Sequence, residues 1–311
     1  MTTLRSTLLA CTAAVAFGTP ALAASCDKVV FSDVGWTDIT ATTAVASVVF
    51  EALGYQTETK ILSVPVTYTA LSQGDIDVFL GNWMPTMEAD IAPYRDAGSV
   101  ETVRTNLEGA KYTLATNAAG AALGIASFAD ITTHRDSLEG KIFGIEPGND
   151  GNRLILDMIS ANTFGLAGFD VVESSEQGML AAVARAANSK EPVIFLGWEP
   201  HPMNANFDMT YLAGGDDVFG PNFGEATVAT NTRKGLASEC PNTGALLSNM
   251  VFSLKMENEI MGAISDAGQE PASAAKAWLA ANPDTLGPWL AGVTTKDGGD
   301  ALAAVKSALG L

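Results

Sequence analysis

The chain has 311 residues, with 35 acidic and 17 basic side chains and a net charge of −18. So acidic a surface repels phosphate backbones and anionic lipid headgroups, which argues against nucleic-acid and membrane-surface binding and weakly favours a cationic ligand. Salt screens such attraction beyond roughly 8–10 Å, so charge alone identifies nothing.

In chain order, Arg5 precedes an apolar run from Leu8 to Phe17, which Gly18 and Pro20 break ahead of Ala21-Leu22-Ala23. A positive start, a short apolar core and a small-x-small site read as a secretory signal peptide over residues 1–23, with the mature chain starting near Ala24. The run is too short to cross a bilayer, and no later stretch reaches the ~18 apolar residues that a membrane helix needs. Leu8-Leu9-Ala10-Cys11 leaves a lipid anchor as the alternative, although few apolar residues precede Cys11 and Cys26 has no large aliphatic residue three positions before it. Removing the leader leaves 311 − 23 = 288 residues, and without Arg5 the charge becomes −19. That length suits two domains of ordinary size. The remaining cysteines are Cys26 and Cys240. In an exported chain they favour a disulfide, closing a loop of about two hundred residues and stabilising by ~3–5 kcal/mol. Two unpaired buried thiols are the alternative.

Lys28-Val29-Val30-Phe31 predicts a strand and Thr40 to Leu53, closed by Gly54, a helix. Tyr55 to Leu62 alternates, Tyr68 to Gln73 is a short helix, and Ile76 to Leu80 is another strand. This βαβα order implies an α/β fold with a largely parallel sheet. Ala110 to Asn117 resembles Gly224 to Asn231, with about a hundred residues of β–α pattern between them. If these segments are two crossings of a hinge, residues 24–114 and 227–311 form one lobe and 115–226 the other, with both cysteines in the first.

A second internal match concerns Val78-Phe79-Leu80-Gly81-Asn82-Trp83-Met84-Pro85 and Ile194-Phe195-Leu196-Gly197-Trp198-Glu199-Pro200. Each is a buried-type strand, then Gly, then Trp, then Pro, and ligands in open α/β sheets bind beyond the carboxyl ends of strands. Trp36, in Gly35-Trp36-Thr37-Asp38, occupies a similar strand exit, whereas Trp278 and Trp289 lie in a structural Ala/Leu/Pro setting. Core packing is the plainer use of such rings. Their other use is to hold a cation that lacks N–H donors, each ring face contributing ~0.5–2 kcal/mol. Three or four rings would support affinity near about −8 kcal/mol, a micromolar Kd. Tyr112, in the first hinge segment, is the candidate fourth wall. Sugar stacking is the competing use, with Asp38, Asn82, Asn149 and Glu199 available as polar partners.

Gly35-Trp36-Thr37-Asp38, Gly81-Asn82-Trp83-Met84-Pro85-Thr86-Met87, Pro147-Gly148-Asn149-Asp150-Gly151-Asn152-Arg153 and Phe195-Leu196-Gly197-Trp198-Glu199-Pro200 together make the chain resemble the periplasmic choline-binding proteins of ABC importers, within the glycine-betaine-binding group. The resemblance covers essentially the whole mature chain. It implies a bilobal periplasmic-binding-protein fold with two mixed or parallel sheet lobes joined by a two-segment hinge. It implies an aromatic box of Trp36, Trp83, Tyr112 and Trp198, with Asp38 and Asn149 hydrogen-bonding the ligand's hydroxyl. It also implies delivery of choline to an ABC permease from the periplasm by a monomer, with no cofactor.

Asp38 separates ligands on physical grounds. A choline hydroxyl can donate to it, whereas the carboxylate of glycine betaine would be repelled. Acetylcholine or betaine is therefore expected to bind more weakly, and only Lys111 stands near the rings as a base. The plainer role for Asp38 is an N-cap or early-turn residue of the following helix. Asn149 equally fits turn support, and its loop lacks the Gly-Lys-Ser/Thr ending of a nucleotide site. Of the two histidines, His134 and His201, neither has metal-ligand spacing. No Gly-x-Ser-x-Gly elbow occurs, and Glu199 has no marked carboxylate partner for glycoside hydrolysis. The expectation is a binding protein without metal or catalysis. A glycine-betaine or carnitine receptor is the alternative of the same fold, and a secreted sugar-binding or glycan-active protein the alternative of another class.

Overall fold

The computed structural model describes residues 26–311. The signal-peptide reading, its cleavage site and Cys11 fall outside the described residues. Nine strands form one curled sheet: β1 (Lys28–Asp33), β2 (Gln56–Ile61), β3 (Val78–Met84), β4 (Val100–Asn117), β5 (Lys141–Phe143), β6 (Asp170–Val172), β7 (Ile194–Glu199), β8 (Met209–Tyr211) and β9 (Glu225–Arg233). Their order is β2-β1-β3-β9-β4-β7-β5-β6, with β8 beside β4. Parallel pairs lie at both ends, β1 with β2 and β3, and β5 with β6 and β7. The middle is antiparallel, so the sheet is mixed rather than largely parallel. The fold is bilobal α/β.

The 18-residue strand β4 links the halves. It pairs with β9 from Val100 to Lys111 and with β7 from Lys111 to Thr116. Lys111 faces both Glu225 and Glu199 across the ladders, so the change of partner falls there.

Seven helices matter below: α1 (Thr37–Ala52), α2 (Val64–Gln73), α3 (Asp150–Ser160), α4 (Glu176–Ser189), α5 (Leu254–Ser265), α6 (Pro271–Ala281) and α7 (Ala301–Leu309). Helix α1 is buried over most of its surface because it packs against β1 and β3 as well as α5, α6 and α7. Phe50 of α1 meets Phe31 of β1 edge to face at 5.8 Å. The helix starts three residues before the Thr40 expected from the pattern. Strand β3 likewise runs past Leu80 through Gly81 and Trp83. A Cβ at Gly81 would lie 2.6 Å from Ile39 Cδ1, so only glycine lets α1 press onto this strand.

A Cys26–Cys240 disulfide, whose Cα atoms are 5.5 Å apart, ties the described N-terminus to the segment after β9. Trp289 is buried, donates Nε1–H to the Val251 carbonyl at 3.1 Å and meets Phe252 edge to face. Trp278 donates to Glu259 at 2.8 Å.

Candidate functional site

Four rings converge where the halves meet. Trp36 follows Gly35, whose φ of +83° turns the chain from β1 into α1. Trp83 and Trp198 are the penultimate residues of β3 and β7, and the Met84–Pro85 and Glu199–Pro200 bonds that follow are both cis. Tyr112 lies directly opposite Trp198 in the β4–β7 ladder. Its ring centroid is 6.0 Å from that of Trp83 and 6.2 Å from that of Trp198. All four side chains are buried. Together with Asp38, Ile145 and Asp150 they line one cavity.

Hydrogen bonds at the ring edges fix this box. Trp83 Nε1–H donates to Asp38 Oδ2 at 3.1 Å, and Trp36 Nε1–H donates across the cleft to Glu146 Oε1 at 2.9 Å. The Tyr112 hydroxyl donates to Asn149 Oδ1 at 3.0 Å. A Cβ at Gly151 would sit 2.0 Å from that hydroxyl, so glycine is required for the phenol to reach its acceptor. His201 packs against the back of Trp198 with ring centroids 5.0 Å apart.

Carboxyls dominate the electrostatics of the site. Asp38 is fully buried, and this desolvation, with the nearby charge of Glu176, pushes its pKa up to about 8 against the opposing pull of the Trp83 N–H. Burial likewise raises Asp150 to about 6 and Glu146 to about 7. Asp38 Oδ1 is a buried acceptor with no hydrogen-bond partner, whereas Asp150 also has the Thr86 hydroxyl beside it. Leaving such an atom unpaired costs about 1–3 kcal/mol. A ligand bringing positive charge and one hydroxyl donor would relieve that cost. No basic side chain lines the cavity. Lys111 pairs instead with Glu199 at 3.3 Å and lies over the Tyr211 ring.

Five of the six expected ligand residues, Trp36, Asp38, Trp83, Tyr112 and Trp198, line the cavity. Asn149 stands behind it. Its Oδ1 accepts from Tyr112 and from the Asn152 N–H as the N-cap of α3, and its Nδ2 donates to Asp150 Oδ1 at 3.1 Å. Asp38 is the second residue of α1, not its N-cap, and favours the positive end of that helix from there. Sequence reasoning missed Asp150 and Ile145 in the wall. It also missed two contacts across the cleft, Arg153 with Asp90 at 2.7 and 2.8 Å and Glu176 with Thr37. Among the described residues no group of three or more His, Cys, Asp or Glu is placed to hold a metal.

Residues 27–281 match the model of the substrate-binding domain of the ABC-type glycine betaine transport system. The structure of an ABC-transporter choline-binding protein in complex with choline is 70% identical, with a TM-score of 0.91 over 91% of this chain and 98% of that one. The unliganded, semi-closed structure described in the same terms is 71% identical, with a TM-score of 0.85 over 92% and 99%. Lactococcal OpuAC, closed on glycine betaine, is 25% identical, with a TM-score of 0.77 over 85% and 99%.

Proposed function

We propose a ligand and a mode of capture for this chain, which belongs to the family of substrate-binding domains of ABC-type glycine betaine transport systems. The ligand is choline. The observation that carries this reading is the partnerless Oδ1 of Asp38 inside a box of four aromatic rings. The trimethylammonium group lies among Trp36, Trp83, Tyr112 and Trp198, each contact contributing ~0.5–2 kcal/mol and more where water is excluded. The hydroxyl donates to Asp38 and accepts from the Asn149 amide. Glycine betaine would set its own carboxylate against Asp38 and Asp150, with no base in the wall to receive it. The 70% identity to a protein whose structure holds choline supports the same choice.

Capture proceeds by hinge motion of lobes 24–114 with 227–311 and 115–226, the crossings being β4 and β9. The mature protein works as a periplasmic monomer, presents the loaded form to an ABC permease, and performs no chemistry on the ligand.

Calorimetric titration with choline, acetylcholine, glycine betaine and a neutral sugar tests this. Choline should bind with a micromolar or tighter Kd and glycine betaine at least about tenfold more weakly. Tighter binding of betaine, or turnover of any ligand, would overturn the reading.

A further inference from the structure

Helix α1 opens with an unmet need. The backbone N–H groups of its first turn have no acceptor within the helix, and its N-cap is Trp36, which supplies no side-chain oxygen. The acceptor comes from 139 residues away, on the other half of the molecule. Glu176, the first residue of α4, accepts the Thr37 N–H at 2.9 Å through Oε2 and the Thr37 hydroxyl through Oε1. His201 supplies a third contact, with Nε2 3.2 Å from Glu176 Oε1. His201 Nδ1 accepts the Met203 N–H at 3.0 Å, which places the ring proton on Nε2, facing the glutamate. Thr37, Glu176 and His201 are all buried.

Two features tie this cluster to the cavity. Thr37 stands between Trp36 and Asp38, both in the wall, and His201 backs Trp198, also in the wall. The cluster is also complete only while the halves are together. Separating them removes two of the three donors from Glu176 and uncaps α1.

We propose that Glu176 is a positioning residue for ligand capture, capping α1 from the opposite half while His201 holds it, and so latching the box around its cation. The proposal rests on the choline reading of the cavity. The ligand favours the latched arrangement because closing the halves brings the negative charge of Glu176 towards Asp33 and Asp38. A cation between these groups offsets that repulsion, which gives the two arrangements different affinities for it.

The test is stopped-flow tryptophan fluorescence on the full mature chain, comparing wild type with Glu176→Gln, Glu176→Ala and Thr37→Val. A latch made after encounter acts on escape. Choline dissociation should therefore accelerate about tenfold or more in both Glu176 variants and about threefold in Thr37→Val, with association rates within about twofold of wild type. Small-angle scattering should show wild type contracting on saturation with choline and Glu176→Ala contracting less. A purely structural role would lower the melting temperature without separating the two rate constants. Dissociation rates within about twofold of wild type in all three variants would overturn the latch. If Glu176→Ala fails to fold, Glu176→Gln and Thr37→Val carry the test. Should wild type prefer glycine betaine, the ligand reading fails, and the same rates measured with betaine decide the latch separately.

Discussion

The two halves of the molecule build the same wall by different means. Each ends a buried strand in Gly, Trp and a cis-proline, β3 with Trp83 and β7 with Trp198. Each also places one aspartate in the first turn of a helix beside the cavity, Asp38 on α1 and Asp150 on α3. In the β1–β3 half the ring and the carboxyl are one unit, since Trp83 donates to Asp38. In the β5–β7 half they are separate. Trp198 is held by the Asn204 amide on its carbonyl and by the His201 ring, while Asp150 is held by Asn149. Their charge environments differ too. Asp38 faces Glu176 and Glu257, whereas Asp150 has Arg153 to offset Asp90. In the proposed choline reading the first half is therefore the discriminating wall, and the second mainly supplies shape.

Removing one ring from each half breaks the comparison most severely. Trp83→Ala and Trp198→Ala should each weaken choline binding by roughly 30- to 100-fold, a cation–π contact plus the void left behind. Trp83→Ala should cost more, because it also strips Asp38 of its donor. Calorimetry on both variants checks this, and near-normal binding in either would remove that ring from the site.

Exchanging the carboxyls sharpens the contrast at smaller amplitude. Asp38→Asn should weaken choline about tenfold and narrow the gap to glycine betaine, since a charge-assisted hydrogen bond is lost and a repulsion relieved. Asp150→Asn should cost about threefold, its charge being partly answered by Arg153. A larger effect at Asp150 than at Asp38 would reverse the assignment of the discriminating wall.

Much of this wall was legible in the sequence because its signals are local. Gly before Trp at the end of an apolar strand marks Trp83 and Trp198, and adjacency pairs Trp36 with Asp38. Tyr112 was not legible from its surroundings, because its place opposite Trp198 is set by the register of the β4–β7 ladder. Asp150 was hidden by a sufficient local explanation, an acidic residue in the first turn of a helix. The start of α1 was misjudged for a similar reason. The carboxylate that lets the helix begin at Thr37 belongs to Glu176, and no local pattern announces a cap from so far away.

The smallest effect expected is on pH dependence, and it separates the two aspartates by where each titrates. Burial raises Asp38 to about 8, Glu146 to about 7 and Asp150 to about 6. An acid whose pKa is raised on folding favours the native state while protonated. That contribution is complete below the unfolded-state value near 4 and is lost as pH rises through the folded value. Calorimetric melting of the ligand-free protein should therefore show stability falling from about pH 4 to about pH 8, the contribution of Asp150 ending near pH 6 and that of Asp38 continuing to about pH 8. Choline favours the ionised carboxyls, so its affinity should rise across the same window and its binding should release protons, seen as a dependence of the binding heat on buffer. Asp38→Asn should reduce the slope of both profiles up to about pH 8, and Asp150→Asn only below about pH 6. Profiles unchanged by either substitution would mean that the carboxyls are already ionised in the empty site, and that the difference between the two walls is one of shape alone.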